Sequence, residues 1–237
     1  MLRVVCVLFL GSLASVVMTA QGAKPTGPTV WDGVFTDAQA DRATGMFSQN
    51  CARCHTLTSQ RTRPLSGEKF WEGYTQKTVG DLLTFVKTNM PNGQGGSLPA
   101  ASYNDLVALI LKSNGFPAGT TELAPETVTN VQIIPKDGPG ELPTNTLVRI
   151  VGCLAPKSGS DWILTSATVP QRIEKTGAVP EDATRPLGDR TLTLKFVLNR
   201  LDSFVGQRMS VTGILIGAGG VNGINVATVN RVAEACP

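Results

Sequence analysis

Apolar residues recur at helical spacing through the first half of the chain and alternate with polar ones through the last third, which predicts two units of different class. Ala40, Ala43, Met46 and Phe47 share one face of a helix that Thr36 can cap and Asp37 can open. Gly45 inside that helix costs about 1 kcal/mol relative to alanine; either close contact with another helix explains it or it is simply tolerated. Phe70, Trp71 and Tyr74 again lie at helical spacing, and Thr78 with Asp81 reads as a capping box in which aspartate replaces the commoner Glu or Gln. The helix opened there carries Leu82, Leu83, Phe85 and Val86 and ends at Asn89, because the proline and glycines that follow cannot continue it. A last helix starts with Pro99 in its first turn and buries Tyr103, Leu106, Val107, Ile110 and Leu111. Gly115 fits its C′ position, and Pro117 prevents extension.

Residues 117–145 are interrupted by Pro117, Pro125, Pro135, Pro139 and Pro143 and read as an extended connector, with 131–134 a short strand or a segment lying against the first unit. From residue 146 the period becomes two. Strands are expected over 147–154, 161–169, 191–197, 208–216 and 223–232, with a short helix over 198–205. Five strands with a helix between the third and fourth match the order of an OB-type barrel; a small β-sandwich is the alternative. The fold expected is therefore α + β in two domains, an all-α unit over 29–116 and a small all-β OB-like barrel over 146–237. Met209 and Trp162 are expected to pack in the second core.

Composition narrows the field further. A net charge of +3 over 237 residues, with no basic run, gives nucleic-acid binding little electrostatic support. Met1-Leu2-Arg3, an apolar stretch over 4–17 and small or polar residues after it describe a secretory signal peptide over 1–23. Its apolar stretch is too short for a confident membrane span, so membrane association is expected only if it is left uncleaved. Cys6 lies inside that stretch, which argues against lipoprotein processing. Export to the periplasm or another extracytoplasmic space would make Cys153 and Cys236 natural disulfide partners, with two free thiols as the alternative.

The chemistry concentrates in Cys51-Ala52-Arg53-Cys54-His55. On a helical turn positions i, i+3 and i+4 share a face, so two thiols can meet the two vinyl groups of one haem while the imidazole reaches its iron. His55 is the single histidine of the chain. A redox CxxC would need a βαβ context, and a zinc site more Cys or His nearby; neither is visible. Met90, at a helix end on a loop long enough to drape over the haem, is the expected second axial ligand, whereas Met46 reads as core. The chain near Pro64 and Leu65 should pass the His55 side and offer a carbonyl to its Nδ1. Phe70, Trp71 and Tyr74 are expected to wall the haem, and Arg61 and Arg63 are candidates for its propionates. No catalytic constellation is visible.

Residues 29–134, through VWDGVFTDAQADRATGMF leading into CARCH and FWEGYTQKTVGDLLTFVKTNMPNGQGGSLPAASYNDLVALILKSNGFPAG, resemble class I c-type cytochrome domains. More narrowly, they are similar to the cytochrome domains associated with pyrroloquinoline-quinone dehydrogenases. The resemblance implies one covalent haem c per chain on Cys51 and Cys54, His55 and Met90 as axial ligands, and Gly45 and Phe47 packing on the last helix. Thr56 departs from the family, where glycine commonly follows the histidine. The function expected is a non-enzymatic electron carrier, taking electrons from a periplasmic dehydrogenase and passing them to another cytochrome or a terminal oxidase. The β unit would dock it to its donor or to the envelope. A haem peroxidase or sensor is the alternative if Met90 does not bind, and a haem-regulated ligand-binding protein if the β unit carries the activity.

Overall fold

Thr36 accepts the Gln39 amide hydrogen at 3.1 Å and opens α1 (Asp37–Arg42) as its sequence predicts. The computed structural model describes residues 27–59, 62–157, 161–198, 200–217 and 223–236, so the predicted signal segment lies outside the described residues. The helix expected to run unbroken into the Cys51 motif divides at Ala43, whose amide turns to the Ala40 and Asp41 carbonyls before α2 (Thr44–Asn50) begins. The division leaves the apolar face intact. Ala40, Ala43 and Phe47 are buried, and Phe47 packs with Leu106 and Leu109 of α5 (Ala100–Ser113). Gly45 is exposed, and a methyl group built on it would meet nothing within 4 Å. The expected contact of this glycine with the last helix is therefore absent, and the residue is merely tolerated.

Two further helices of this half are α3 (Glu68–Tyr74) and α4 (Val79–Asn89). At the start of α4 the Thr78 side chain takes the Asp81 amide at 3.0 Å and the Asp81 carboxylate takes the Thr78 amide at 2.8 Å, so aspartate serves the capping box. Pro99 is the N-cap of α5 and stands just outside its first turn. The far end closes as a Schellman motif: Gly115, at φ +77°, donates to Lys112 and Phe116 donates to Leu111.

Within the expected connector over 117–145, the first part is packed into the helical core, and Leu142 near its end is buried in a second core farther along the chain. Leu123, Val128, Val131 and Ile133 are all but fully buried in the same core as Phe35, Leu82 and Leu111. Buried Gln39 clamps both the amide and the carbonyl of Leu123, at 2.7 and 2.9 Å. The short helix α6 (Pro125–Val128) follows, and β1 (Lys77–Thr78) then pairs antiparallel with β2 (Gln132–Ile133). Prolines read locally as breaks, whereas this segment is held by burial. At about 1.5–3 kcal/mol per buried aliphatic side chain, four such residues outweigh the lack of regular structure.

The C-terminal half is mostly β: β3 (Leu147–Pro156), β4 (Trp162–Ala167), β5 (Gln171–Arg172), β6 (Arg190–Lys195), β7 (Arg208–Ile216) and β8 (Gly223–Ala233). β3 pairs with β4, β4 with β6, β6 with β8, β8 with β7, and β7 with β3. Only β6–β8 is parallel. Alternation puts Ile150, Leu154, Leu164, Leu192, Leu194, Val211 and Ile224 into a second core, with Met209 buried and Trp162 half-buried against it. The expected helix over 198–205 shortens to one 3-10 turn, Asp202–Phe204. A long excursion from β5 to β6 is pinned by fully buried Asp182, which accepts from the Ser210 hydroxyl at 2.7 Å and the Val179 amide at 3.0 Å. Arg149 stands 3.4 Å from its carboxylate. Cys153 and Cys236 form a disulfide between β3 and the tail after β8, with Cα atoms 5.7 Å apart.

Candidate functional site

Phe47, fixed against α5, delivers the chain to Cys51, whose amide closes α2 on the Phe47 carbonyl at 2.8 Å. One turn follows, in which Cys54 and His55 both donate to the Cys51 carbonyl, at 3.0 and 2.9 Å. That turn sets Cys51, Cys54 and His55 on the lining of one cavity of about 440 Å³. The two thiols are free; Cys54 is exposed, and burial pushes the Cys51 thiol above its ordinary pKa. Among the described residues no group of three His, Cys, Asp or Glu side chains gathers to hold a metal ion.

His55 Nδ1 lies 3.1 Å from the Arg63 carbonyl. A carbonyl only accepts, so Nδ1 carries the proton, and the lone pair of the neutral ring falls on Nε2. The partner is thus one residue earlier than the expected Pro64–Leu65 stretch; the Leu65 amide closes the loop on the Thr56 carbonyl at 2.8 Å, and its carbonyl is taken by the Asn114 side chain at 2.9 Å. Arg63 adopts φ +48°, uncommon for a residue with a side chain. Pro64 and Arg63 both line the cavity, and Arg61 lies outside the described residues.

Met90 also lines the cavity. It is the C-cap of α4, in extended conformation, with its amide on the Val86 carbonyl at 3.0 Å. Its carbonyl accepts from the Tyr103 hydroxyl at 3.0 Å, and the hydroxyl oxygen of Tyr103 in turn accepts from the Leu98 amide at 3.2 Å. A fully buried phenol on α5 therefore ties both ends of the loop that carries the methionine. Gly95 lies so close to the Thr88 carbonyl that a Cβ there would collide with it. Sequence reading placed Tyr103 on an apolar face and missed this role. The available signal was chemical: a buried tyrosine hydroxyl needs a partner. Tyr103→Phe is expected to cost about 1–3 kcal/mol, since it strands a half-buried amide and a carbonyl. Thermal unfolding should report that loss, and the spectral signature of sulfur–iron ligation should disappear at a lower temperature than in the parent.

Apolar side chains supply the remaining walls: Phe70 and Tyr74 of α3, Leu82, Phe85 and Val86 of α4, and Ile110 of α5. Phe85 is 47% exposed at the cavity. Burial raises the Tyr74 phenol above its ordinary pKa. Trp71, expected among these walls, is not one of them. It stays out of the lining and packs edge-on against Phe116 and Phe70, at centroid distances of 5.6 and 5.8 Å. Phe70 and Tyr74 are i and i+4 on α3, whereas Trp71 is rotated about 100° from Phe70 and faces elsewhere.

The donor set fits haem: two thiols and an imidazole from one turn, a thioether from another element, and apolar walls. The cavity also falls within the roughly 300–1,000 Å³ usual for cofactor sites. Residues 38–110 match the family model of cytochrome c oxidase, cbb3-type, subunit III, a match to less than a third of the 237-residue chain. No match was found among curated proteins or among solved structures. The match supports a c-type cytochrome domain, all-α in fold, with a haem cofactor and an electron-transfer role. It stops at residue 110 and does not extend to the β unit.

Proposed function

We infer that this chain is an exported mono-haem electron carrier whose helical unit holds covalent haem c and whose β unit is an OB-like barrel. One observation carries the reading: Cys51, Cys54, His55 and Met90 line a single apolar cavity. Cys51 and Cys54 would hold the group through thioethers, which requires both sulfurs reduced, as they are here. When bound, haem supplies a one-electron ferric–ferrous couple. His55 would offer Nε2 to the iron, since the Arg63 carbonyl occupies Nδ1. Met90 offers a soft, neutral sulfur that favours the reduced state, and Tyr103 holds the backbone from which it reaches. His55 and Met90 would both ligate the iron and would leave a substrate no open place on it, which favours a carrier over a peroxidase or gas sensor. Phe85 brings an exposed apolar edge to the cavity, where a transient partner can approach.

Export agrees with a disulfide at Cys153–Cys236 and with haem-attachment chemistry. The ring of strand pairings with one parallel pair supports the OB-like reading. The donor proposed is a periplasmic quinoprotein-type dehydrogenase and the acceptor another cytochrome or a terminal oxidase, with the β unit as docking element. The test is the full chain made in a haem-attaching host. The expected product keeps one haem per chain after denaturation, shows low-spin iron with sulfur ligation, is reduced by one electron by a dehydrogenase co-purified from the periplasm, and turns over no peroxide. A colourless product removes the haem reading. High-spin iron with rapid peroxide turnover replaces the carrier by an enzyme.

A further inference from the structure

The wall of the cavity formed by α3 belongs to neither unit alone. α3 has seven residues, too few for a helix to hold itself in water. Its position must come from its two ends and from the faces it buries. At the N-terminal end Asn114, the C-cap of α5, accepts the Gly67 amide at 3.1 Å and donates to the Leu65 carbonyl at 2.9 Å. At the C-terminal end the partners come from the β unit. Arg172 of β5 donates through Nε to the Thr75 carbonyl at 2.9 Å and through Nη2 to the Glu72 carbonyl at 3.3 Å. These are carbonyls of the last turn and cap, which the helix itself leaves without partners and where its dipole favours a cation.

A second clamp runs the other way. Gln76, two residues past α3, donates from Nε2 to the Pro170 carbonyl at 3.1 Å and accepts the Arg172 amide on Oε1 at 2.9 Å. It adopts φ +62° in doing so, a left-handed conformation uncommon for a residue with a side chain. Arg172 is itself locked in register, paired with Val148 of the long strand β3. Two side chains from opposite units thus make four hydrogen bonds across the junction, at the C-terminal end of the helix that carries Phe70 and Tyr74.

We propose that Arg172 and Gln76 are positioning residues for the haem cavity: through them the β unit fixes α3, and with it the Phe70–Tyr74 wall that keeps water out. This rests on the haem reading above and deepens it, since it assigns the β unit a share in setting the potential. A drier cavity disfavours the more highly charged ferric state, so a loosened wall lowers the potential. The Arg172 charge alone would act in the same direction, and the test must separate the two effects.

The test compares Gln76→Ala, Arg172→Lys and Arg172→Ala with the parent, all as full-length, haem-loaded protein. Midpoint potential and hydrogen exchange of the 68–76 amides are the readouts. Gln76→Ala changes no charge, and Arg172→Lys keeps the charge while losing the fork to two carbonyls. The expected result is a lowered potential in all three. Exchange over 68–76 should rise by about tenfold, the effect of losing one such bond, while the signature of sulfur ligation persists. An unchanged potential in both Gln76→Ala and Arg172→Lys, with a fall only in Arg172→Ala, overturns the clamp and leaves charge as the cause. If Arg172→Ala loses the β unit, as seen by exchange over β3 and β7, the decision passes to the other two variants. Failure of the haem reading would look different: no variant, nor the parent, would carry pigment.

Discussion

Met90→Ala is expected to produce the largest functional change that leaves the cofactor attached: a strongly lowered midpoint potential in a protein that still folds and still carries its haem. Axial-ligand identity spreads haem potentials over about 0.8 V, and the ligand removed is the soft one that favours the reduced state. The fold should survive because Met90 is only half-buried, so truncation costs about 2 kcal/mol, the lower end of the range for core methionines. The backbone that carries it stays anchored through the Val86 carbonyl and the Tyr103 hydroxyl, neither of which depends on the side chain. The far-red band of sulfur-ligated ferric haem should vanish, and added imidazole should bind where it previously did not. A variant that kept both the band and the potential would show that Met90 is a packing residue and that the sixth ligand lies elsewhere. A contrast with Tyr103→Phe separates ligand from support: the latter should keep the band at low temperature and lose it on warming.

The parts of this site that could be read from the sequence are those set by short-range chemistry. Cys51, Cys54 and His55 come from one turn, and Met90 follows a capped helix whose end Pro91 enforces, so spacing alone places them. The same holds for Thr36, Thr78, Asp81 and Gly115, whose capping roles depend on neighbours three or four residues away. The misses share the opposite property. Trp71 and Phe70 differ by one position and both lie against Phe116, far along the chain, yet of the two Phe70 alone lines the cavity, and spacing along α3 does not say which neighbour turns inward. The carbonyl for His55 comes from Arg63 in a loop that closes at Thr56 and Leu65, a register no periodicity encodes. Residues 117–134 look like a connector because their prolines are local facts, while the burial that holds them against Gln39 and β1 is not. Arg172 and Gln76 carried no signal at all, being an ordinary arginine and an ordinary glutamine until two units meet. Alternation, a local property, located the five long strands of the β unit to within three residues; the two-residue β5, which bears Arg172, was too short to show a period.

Replacing Cys153 and Cys236 together by serine should be the most damaging change to stability. The bridge closes a sequence separation of 83 residues, and on the chain-entropy account such a loop contributes about 4–5 kcal/mol. A domain of this size holds only about 5–15 kcal/mol in total, so the β unit should lose a large part of its margin. Its native geometry should persist at low temperature. Gly206 takes the Cys236 amide at 3.0 Å and gives its own to Leu154 at 2.9 Å, so the tail stays beside β3 without the sulfurs. In urea the parent should unfold with its two halves close together, and the serine variant should show an early transition in the β signal. Because Arg172 is held in register by β3, that early transition removes the support of α3. The haem potential should therefore step down at the urea concentration where the β unit unfolds, before sulfur ligation is lost. A potential that stays level through the β transition would mean that the two units share a chain but not a site.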